Sequence, residues 1–491
     1  MKNTIKFALI ICSLGFLADC ASKKKGFLSQ AIPLALLGTN TGGNKNIPAK
    51  IDAPSEFSYS LSGDNSNGQI NTNIAETDQP VNFTPSISGT KPITFSISPA
   101  LPKGLVIDSE TGVISGTPEI WSLSTEYTIT AQNPSGTVSV KITFSTTTPG
   151  RVTGTGINKC YSWSVNQEIP CGDSTYPNQD ADFQTPRSFT GPTPHTVYTD
   201  DYTTRDNVKG LVWKSCLEGQ SGSDCSGGNG PYIFTRESAV AACNNLNTAN
   251  AGNGYAGMQT WRVPTIQELY TIFDNSVYYG VPKSSPAYFP GNDGYTKFYI
   301  SSSIFNESRL WIFSDTTKQE HSYPVLSMFV LRCVSGQSLP IPSFRDNQDG
   351  TVGDHTSKLL WQKCPAGLSG SNCESGSLNR FSWWFDSLQY CKNLNFAGKT
   401  WRLPNINELV TIKDYSKSDL PLINNSFFPN TPYTPTTPQL QGPYFTFLTS
   451  TVNSGCGPFL TFGDSEAYFC TPDGNFGNYG YGGYARCVTD L

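Results

Sequence analysis

Histidine is scarce: His195, His321 and His355 are the three in 491 residues, and they stand far apart. None is spaced with a second as a histidine-based metal site requires. Charge is thin as well, with 14% charged residues and a net charge of −5, so the footprint of a general nucleic-acid binder is missing. No G-x-S-x-G elbow occurs, which removes one common nucleophile signature. No apolar run is long enough to cross a bilayer. Residues 7–17 (FALIICSLGFL) fall short of the about 20 residues that a spanning helix needs.

That short run has the length of a signal-peptide core, and Lys2 and Lys6 supply the positive region ahead of it. Leu17-Ala18-Asp19-Cys20 follows and resembles a lipobox, with Asp19 departing from the strict small residue. We therefore expect a signal peptide over 1–19, a lipid on Cys20 and an extracytoplasmic mature chain held to a membrane, the outer one favoured by Ala21. An ordinary signal peptide with an incidental cysteine is the alternative. Residues 20–55 read as a tether. Lys23, Lys24 and Lys25 lie near the anchor, and residues 27–37 (FLSQAIPLALL) are either a second membrane contact or an apolar spacer.

What is abundant is turn chemistry: 45 glycines and 34 prolines, with many serines, threonines and asparagines. Such a chain is β-rich. The 14 cysteines reduce to 12 once Cys12 leaves with the signal and Cys20 takes the lipid. An even number suits disulfides in an oxidising compartment.

Residues 56–147 contain no cysteine and alternate with period two in 93–97, 127–130 and 138–144, the pattern of an antiparallel sandwich. Their Leu101-Pro102-Lys103-Gly104-Leu105, Asp108 and 111–118 (TGVISGTP) resemble the bacterial Putative Ig (cadherin-like) family, which implies a spacer or adhesion module. Asp108 and Glu110 are read as turn residues rather than calcium ligands.

From about residue 160 the chain repeats itself. Trp213 and Cys216 answer Trp361 and Cys364; Cys225 and Cys243 answer Cys373 and Cys391. Further on, 261–264 (WRVP) matches 401–404 (WRLP), Phe289-Pro290 matches Phe428-Pro429, and 332–334 (RCV) matches 486–488. The repeat predicts two homologous modules, 160–336 and 341–491. Each has a helix starting near Thr235 or Ser382 and a second starting at Thr265 or Asn405. Glu268 and Glu408 stand three residues after those caps, the capping-box spacing, so both are read as structural and not catalytic. Residues 344–354 (FRDNQDGTVGD) fail the EF-hand pattern and read as a hairpin turning at Asp349-Gly350.

These marks resemble the Lcl C-terminal-like domain family, named after part of a bacterial collagen-like adhesin. In the second module they are 349–352, 359–364, 390–394, 401–409 and 486–488; the first lacks the D-G-T-V hairpin and has Ala242 for the tyrosine. The resemblance implies α+β modules like C-type lectins and formylglycine-generating enzymes, and surface binding that includes sulfated glycans. It also implies a disulfide plan. Cys243–Cys333 and Cys391–Cys487 would join the first helix to the last strand, and Cys216–Cys225 and Cys364–Cys373 would close small loops. Cys160–Cys171 and Cys456–Cys470 remain, one extra staple per module.

The expected whole is a multidomain, disulfide-stapled protein: an all-β Ig-like sandwich, then two α+β C-type-lectin-like modules. Its function is adhesion or ligand binding at the surface, toward glycans or matrix proteins. No catalytic constellation, cofactor or metal site is expected. A structural envelope role and a formylglycine-generating enzyme are the alternatives, and paired cysteines weigh against the latter. The candidate binding surface is 474–484 (GNFGNYGYGGY), where Phe476, Tyr479, Tyr481 and Tyr484 alternate with Gly and Asn. Packing of those rings on their own module is the competing reading.

Overall fold

The computed structural model describes residues 50–491 except 60–72, 77–79, 92, 149, 163–166, 184–186, 231–232, 277–286, 292–296, 316–318, 434–445, 448, 450–459 and 464–482. Cys20 and the stretch 27–37 therefore lie outside the described residues. The chain divides into Met1–Lys50 and Ile51–Leu491, and every element below belongs to the second unit.

Alternation builds the first domain. Along Ser122–Asn133, Tyr127, Ile129 and Ala131 are buried while Thr128 and Thr130 are only partly covered, so one face of the strand supplies the core. This strand lies between Gly136–Thr147 and Thr94–Ser98, with Asn73–Glu76 added in parallel on the far side of Gly136–Thr147. A three-stranded sheet, Val81–Phe83, Ile114–Gly116 and Leu105–Ile107, supplies Phe83, Leu105 and Ile114 to the same core. The two motif glycines meet where those strands cross. A Cβ on Gly104, at φ +91°, would lie 2.0 Å from the Thr117 carbonyl, and one on Gly116 would lie 2.1 Å from the Gly104 carbonyl. Only glycine fits such a backbone approach. Asp108 closes the hairpin, its Oδ1 accepting from the Glu110 and Thr111 amides at 2.9 and 2.8 Å, and those bonds hold its carboxyl below the ordinary value.

The remainder is mostly β, and the two modules share one plan. In the first, Phe189–Pro194, Tyr202–Asp206, Val212–Lys214, Val334–Ser335 and Trp261–Arg262 lie side by side in that order. The second repeats it with Phe344–Asp346, Thr351–Asp354, Leu359–Gln362 and Val488–Asp490, where Arg402 bridges Val488 as Arg262 pairs with Val334. The first module thus has a hairpin where the D-G-T-V residues are missing. Strands Phe189–Pro194 and Tyr202–Asp206 form it with a longer loop, correcting the expectation that it is absent.

Each module carries two longer helices among the described residues, α1 (Arg236–Leu246) and α2 (Ile266–Ile272) in the first, α3 (Trp384–Lys392) and α4 (Ile406–Thr411) in the second, and the first has a further single turn at Ala249–Gly252. Thr235 caps α1 by accepting from the Ser238 amide. Ser382 does not cap α3. The helix starts one residue later than expected, its cap residue Trp383 makes no side-chain cap bond, and the Trp384 indole donates to the Thr449 carbonyl at 2.9 Å. Helix α2 packs on α4, and one apolar core runs from Trp213, Leu269 and Phe313 through to Leu409, Ile412 and Trp361. The modules are thus fused along their second helices.

Five disulfides are present: Cys160–Cys171, Cys216–Cys225, Cys243–Cys333, Cys364–Cys373 and Cys391–Cys487. Cys456 and Cys470 lie outside the described residues. The Cys160–Cys171 staple needs a correction. It was expected to serve the first module, but the segment that carries it straps the second. Tyr161 enters the core around Trp384 and Trp401, Gln389 of α3 donates to the Thr175 carbonyl at 2.7 Å, and the Arg402 guanidinium lies 4.6 Å over the Phe183 ring. The strap is held to the first module too, where Arg187 donates to the Phe273 carbonyl at 2.7 Å and the Asn275 amide to the Thr155 carbonyl at 2.8 Å.

Candidate functional site

The W-R-x-P-x-x-x-E motif has a complete structural account. Thr265 and Glu268 form a capping box at α2, as Asn405 and Glu408 do at α4. Each glutamate also takes a two-pronged bond from the motif arginine: Arg262 to Glu268 at 2.7 and 2.6 Å, Arg402 to Glu408 at 2.6 and 2.5 Å. Every oxygen of these two carboxylates thereby accepts a structural hydrogen bond. The R-C-V arginines are equally occupied. Arg332 donates to the carbonyls of Lys214 and Ser215, and Arg486 to those of Gln362 and Lys363. Each guanidinium lies over the phenylalanine of the Phe-Pro pair, Phe289 at 5.1 Å and Phe428 at 4.9 Å. That contact explains why the two motifs recur together.

The repeat breaks at the turn after the second helix. Residues 271–276 (TIFDNS) and 411–416 (TIKDYS) differ at two places: Phe273 and Asn275 become Lys413 and Tyr415. The turns stay alike, since Asp274 and Asp414 each accept from the amide and hydroxyl of the serine two residues on. The substituted side chains reach the seam. Lys413 Nζ lies 2.7 Å from Glu320 Oε1 of the first module, with the two side chains 2% and 5% exposed. The ammonium also sits 4.9 Å above the Trp311 ring and 5.4 Å above that of Tyr415. The Tyr270 hydroxyl donates to the second Glu320 oxygen. Burial alone would raise the Glu320 carboxyl; the Lys413 charge and hydrogen bond outweigh it and hold the group below its ordinary value. Burial and the neighbouring carboxylate push the hydroxyls of Tyr270 and Tyr415 up, so both stay protonated.

Beside this cluster a cleft of about 610 Å³ opens along the seam. That is the size range of small-molecule sites, roughly 300–1,000 Å³. Its walls come from both modules and from the segments that join them. Gln267, Tyr270 and Thr271 of α2 contribute from one side and Asn407, Val410 and Thr411 of α4 from the other, with Ser302–Ile304, Arg151–Thr153 and the linker residues 339–342 around them. The helix contributions are matched position by position in the two repeats, so the seam is locally pseudo-symmetric until Lys413 and Tyr415 break it. Asn407 Nδ2 donates to the Thr153 carbonyl at 2.8 Å, while its Oδ1 and the Thr153 hydroxyl are buried without a partner among the described residues. Lys209 donates to the Arg151 carbonyl, and burial pushes its ammonium down to about 8.

Of the aromatic residues proposed from the sequence to bind ligand, Tyr484 is 5% exposed, lies in strand Gly483–Tyr484 and packs in the shared core, so it is not a surface ring. Phe476, Tyr479 and Tyr481 lie outside the described residues. His321 is buried, edge-on to Phe298. His195 accepts from the amides of Val197 and Tyr198 in its own loop. Sequence reasoning missed the cleft. The signal it held was the paired change of Phe273 to Lys413 and Asn275 to Tyr415 inside an otherwise repeated hexapeptide.

The model described as Lcl C-terminal domain matches residues 202–335 and 350–488, and that described as Putative Ig domain matches 53–149. No curated protein matches the chain. Among solved structures, a putative alpha-galactosidase/melibiase from Bacteroides fragilis is 22% identical, with 21% of this chain and 20% of that chain covered and a TM-score of 0.15. A second putative alpha-galactosidase from the same organism is 26% identical over 23% of this chain and 21% of its own, with a TM-score of 0.14. The chain thus spans about a fifth of the length of either. A chimeric titin Z1Z2 is 15% identical over 20% of this chain and 96% of its own, with a TM-score of 0.15. Likeness at these scores says nothing about activity. With the Lcl C-terminal model matched over more than half of its residues, the chain belongs to the Lcl C-terminal domain family.

Proposed function

We propose that this protein is a lipid-anchored surface protein that binds extracellular glycans or matrix proteins through its paired Lcl C-terminal modules. The observation that carries the reading is the order of parts along one chain: a stretch resembling a lipobox at Leu17–Cys20, an Ig-like domain, then two disulfide-stapled modules fused into one body. Several disulfides are consistent with an extracellular setting, and among the described residues no helix is long and apolar enough to cross a membrane. A C-type-lectin-like fold for the modules is part of this proposal. It draws support from the two bridges that tie α1 and α3 to the last strand of their modules.

An enzymatic reading finds less support, because the repeated Glu and Arg side chains are consumed by capping and carbonyl bonds. The anchor is tested by metabolic labelling with a radiolabelled fatty acid: wild type takes up label and Cys20→Ala does not. The binding function is tested by presenting residues 151–491 to arrays of sulfated and unsulfated glycans and matrix proteins. Saturable binding to one class supports it; its absence across the array refutes it. Pull-down from the cell's own envelope separates adhesion from a structural envelope role.

A further inference from the structure

The positive charges of the seam cleft are offset. Arg151, Lys209 and Lys413 line it together with Asp354 and Asp414, and two buried carboxylates outside the lining add to these, Glu320 pairing with Lys413 and Asp206 acting on Lys209. A polyanionic ligand needs surplus cations aimed at it, and this wall supplies no such surplus. It is rich instead in neutral donors and acceptors with spare capacity. Asn407 and Thr153 are lining residues, and Asn407 Oδ1 and the Thr153 hydroxyl are buried without a partner among the described residues. Such atoms destabilise a fold unless water or a ligand completes them. Gln267 occupies the matching position of α2 and brings a second amide to the opposite wall. Ring carbon from Tyr270, Tyr415 and Phe344 lies among these polar groups. Few convergent polar groups against aromatic surface describe a small-molecule site.

We propose that the cleft between the two modules binds an uncharged, hydroxyl-rich ligand, a short neutral oligosaccharide, with Asn407, Gln267 and Thr153 pairing its hydroxyls. The site is composite: α2, α4 and the segment after the Ig-like domain each supply part of it, so one module alone does not contain it. The proposal rests on the surface-binding reading for the origin of the ligand and adds its chemical class and its place.

The test titrates the whole mature chain by calorimetry with maltotriose, cellotriose and triacetylchitotriose, and with a heparin-derived tetrasaccharide as the charged comparison. A neutral probe saturates the protein and the sulfated one does not compete with it. Two variants locate the site. Ile304, 39% exposed on the cleft wall, tolerates Ile304→Trp, which fills the space, and Gln267→Ala removes a half-exposed amide. Each weakens neutral binding by about tenfold or more with the melting transition unchanged. The proposal is overturned if none of the neutral probes saturates, if binding survives Ile304→Trp, or if the sulfated probe displaces the neutral one. Array binding to macromolecules that persists without neutral-probe binding sinks the cleft and leaves the surface reading standing. Neutral-probe binding without array binding does the reverse.

Discussion

Removing Lys413 should reverse the way this protein's stability responds to acid. In the wild type the Glu320 carboxylate is buried, 2.7 Å from the Lys413 ammonium, and its pKa lies below the ordinary 4.5. A carboxyl depressed by folding contributes stability above its unfolded pKa and loses it as pH falls through the folded value. The wild-type contribution is thus intact above about 4.5 and fades below it. In Lys413→Met burial is opposed by the Tyr270 hydroxyl and a backbone hydrogen bond, and burial, the largest influence on Glu320, dominates, so its pKa rises above the unfolded value. The unpaired carboxylate then penalises the fold at neutral pH, and acidification through the raised pKa relieves the penalty. Breaking one side of a buried pair costs about 3–5 kcal/mol, whereas replacing both members by apolar groups of similar size is often neutral or better. The assay is urea denaturation at pH 7 and pH 5, disulfides intact, on wild type, Lys413→Met, Glu320→Leu and the double variant. Tryptophan fluorescence reports it, because eight of the nine tryptophans lie beyond the Ig-like domain. The expected result is a single-variant loss of about 3–5 kcal/mol at pH 7, a double variant within about 1 kcal/mol of wild type, and a smaller Lys413→Met deficit at pH 5. A Lys413→Met deficit under about 1 kcal/mol, or a double variant as unstable as the worse single one, would refute the reasoning.

The long disulfides should matter more than the short ones: Cys243–Cys333 and Cys391–Cys487 close separations of 90 and 96, worth about 4–5 kcal/mol each in the loop-entropy model, against about 3 for the separations of 9. Paired Cys→Ala variants compared by thermal melting check that order. Glu408→Ala should cost more than Glu268→Ala, since it strands an arginine side chain 11% exposed rather than one 25% exposed, and differential scanning calorimetry reads the difference. Residues 341–491 expressed alone should bind a hydrophobic dye and unfold at lower urea than in the whole chain, because the α2 partner and the Tyr161 strap are gone. An unchanged midpoint counts against a shared core.

Much of this architecture is written locally. The two motif glycines of the Ig-like domain, the capping glutamates and the paired Trp and Cys positions each satisfy a constraint set by near neighbours, so their meaning survives in one dimension. The fused seam does not. Leu269 and Leu409 sit at apolar helix positions that look alike whether the covering surface is their own sheet or the other module. The disulfide plan implied by the family resemblance has the same limit. It leaves Cys160 with Cys171 as a remaining pair assigned to the first module, and here the contacts of Tyr161 and Thr175 decide which surface the hairpin lies against. Tyr484 shows the converse ambiguity: glycine-spaced rings read equally well as a paratope or as the lining of a core.

The divergence between the repeats is concentrated where a duplicated module would gain from it. Two identical modules docked through α2 and α4 would place Phe273 and its copy in equivalent surroundings, giving an apolar contact with no preferred partner chain. Lys413 makes the contact directional, because the carboxylate that meets its ammonium is Glu320 of the other module, its own module supplying the Gly463 carbonyl at 3.3 Å and the Tyr415 ring, and a self-paired second module would bury that charge without its carboxylate. The same divergence puts Lys413 and Tyr415 on the cleft wall, beside the amides that both repeats supply from Gln267 and Asn407. A feature that enforces docking within one chain therefore also shapes the cavity, which ties the integrity of the fused body to the composition of its candidate site.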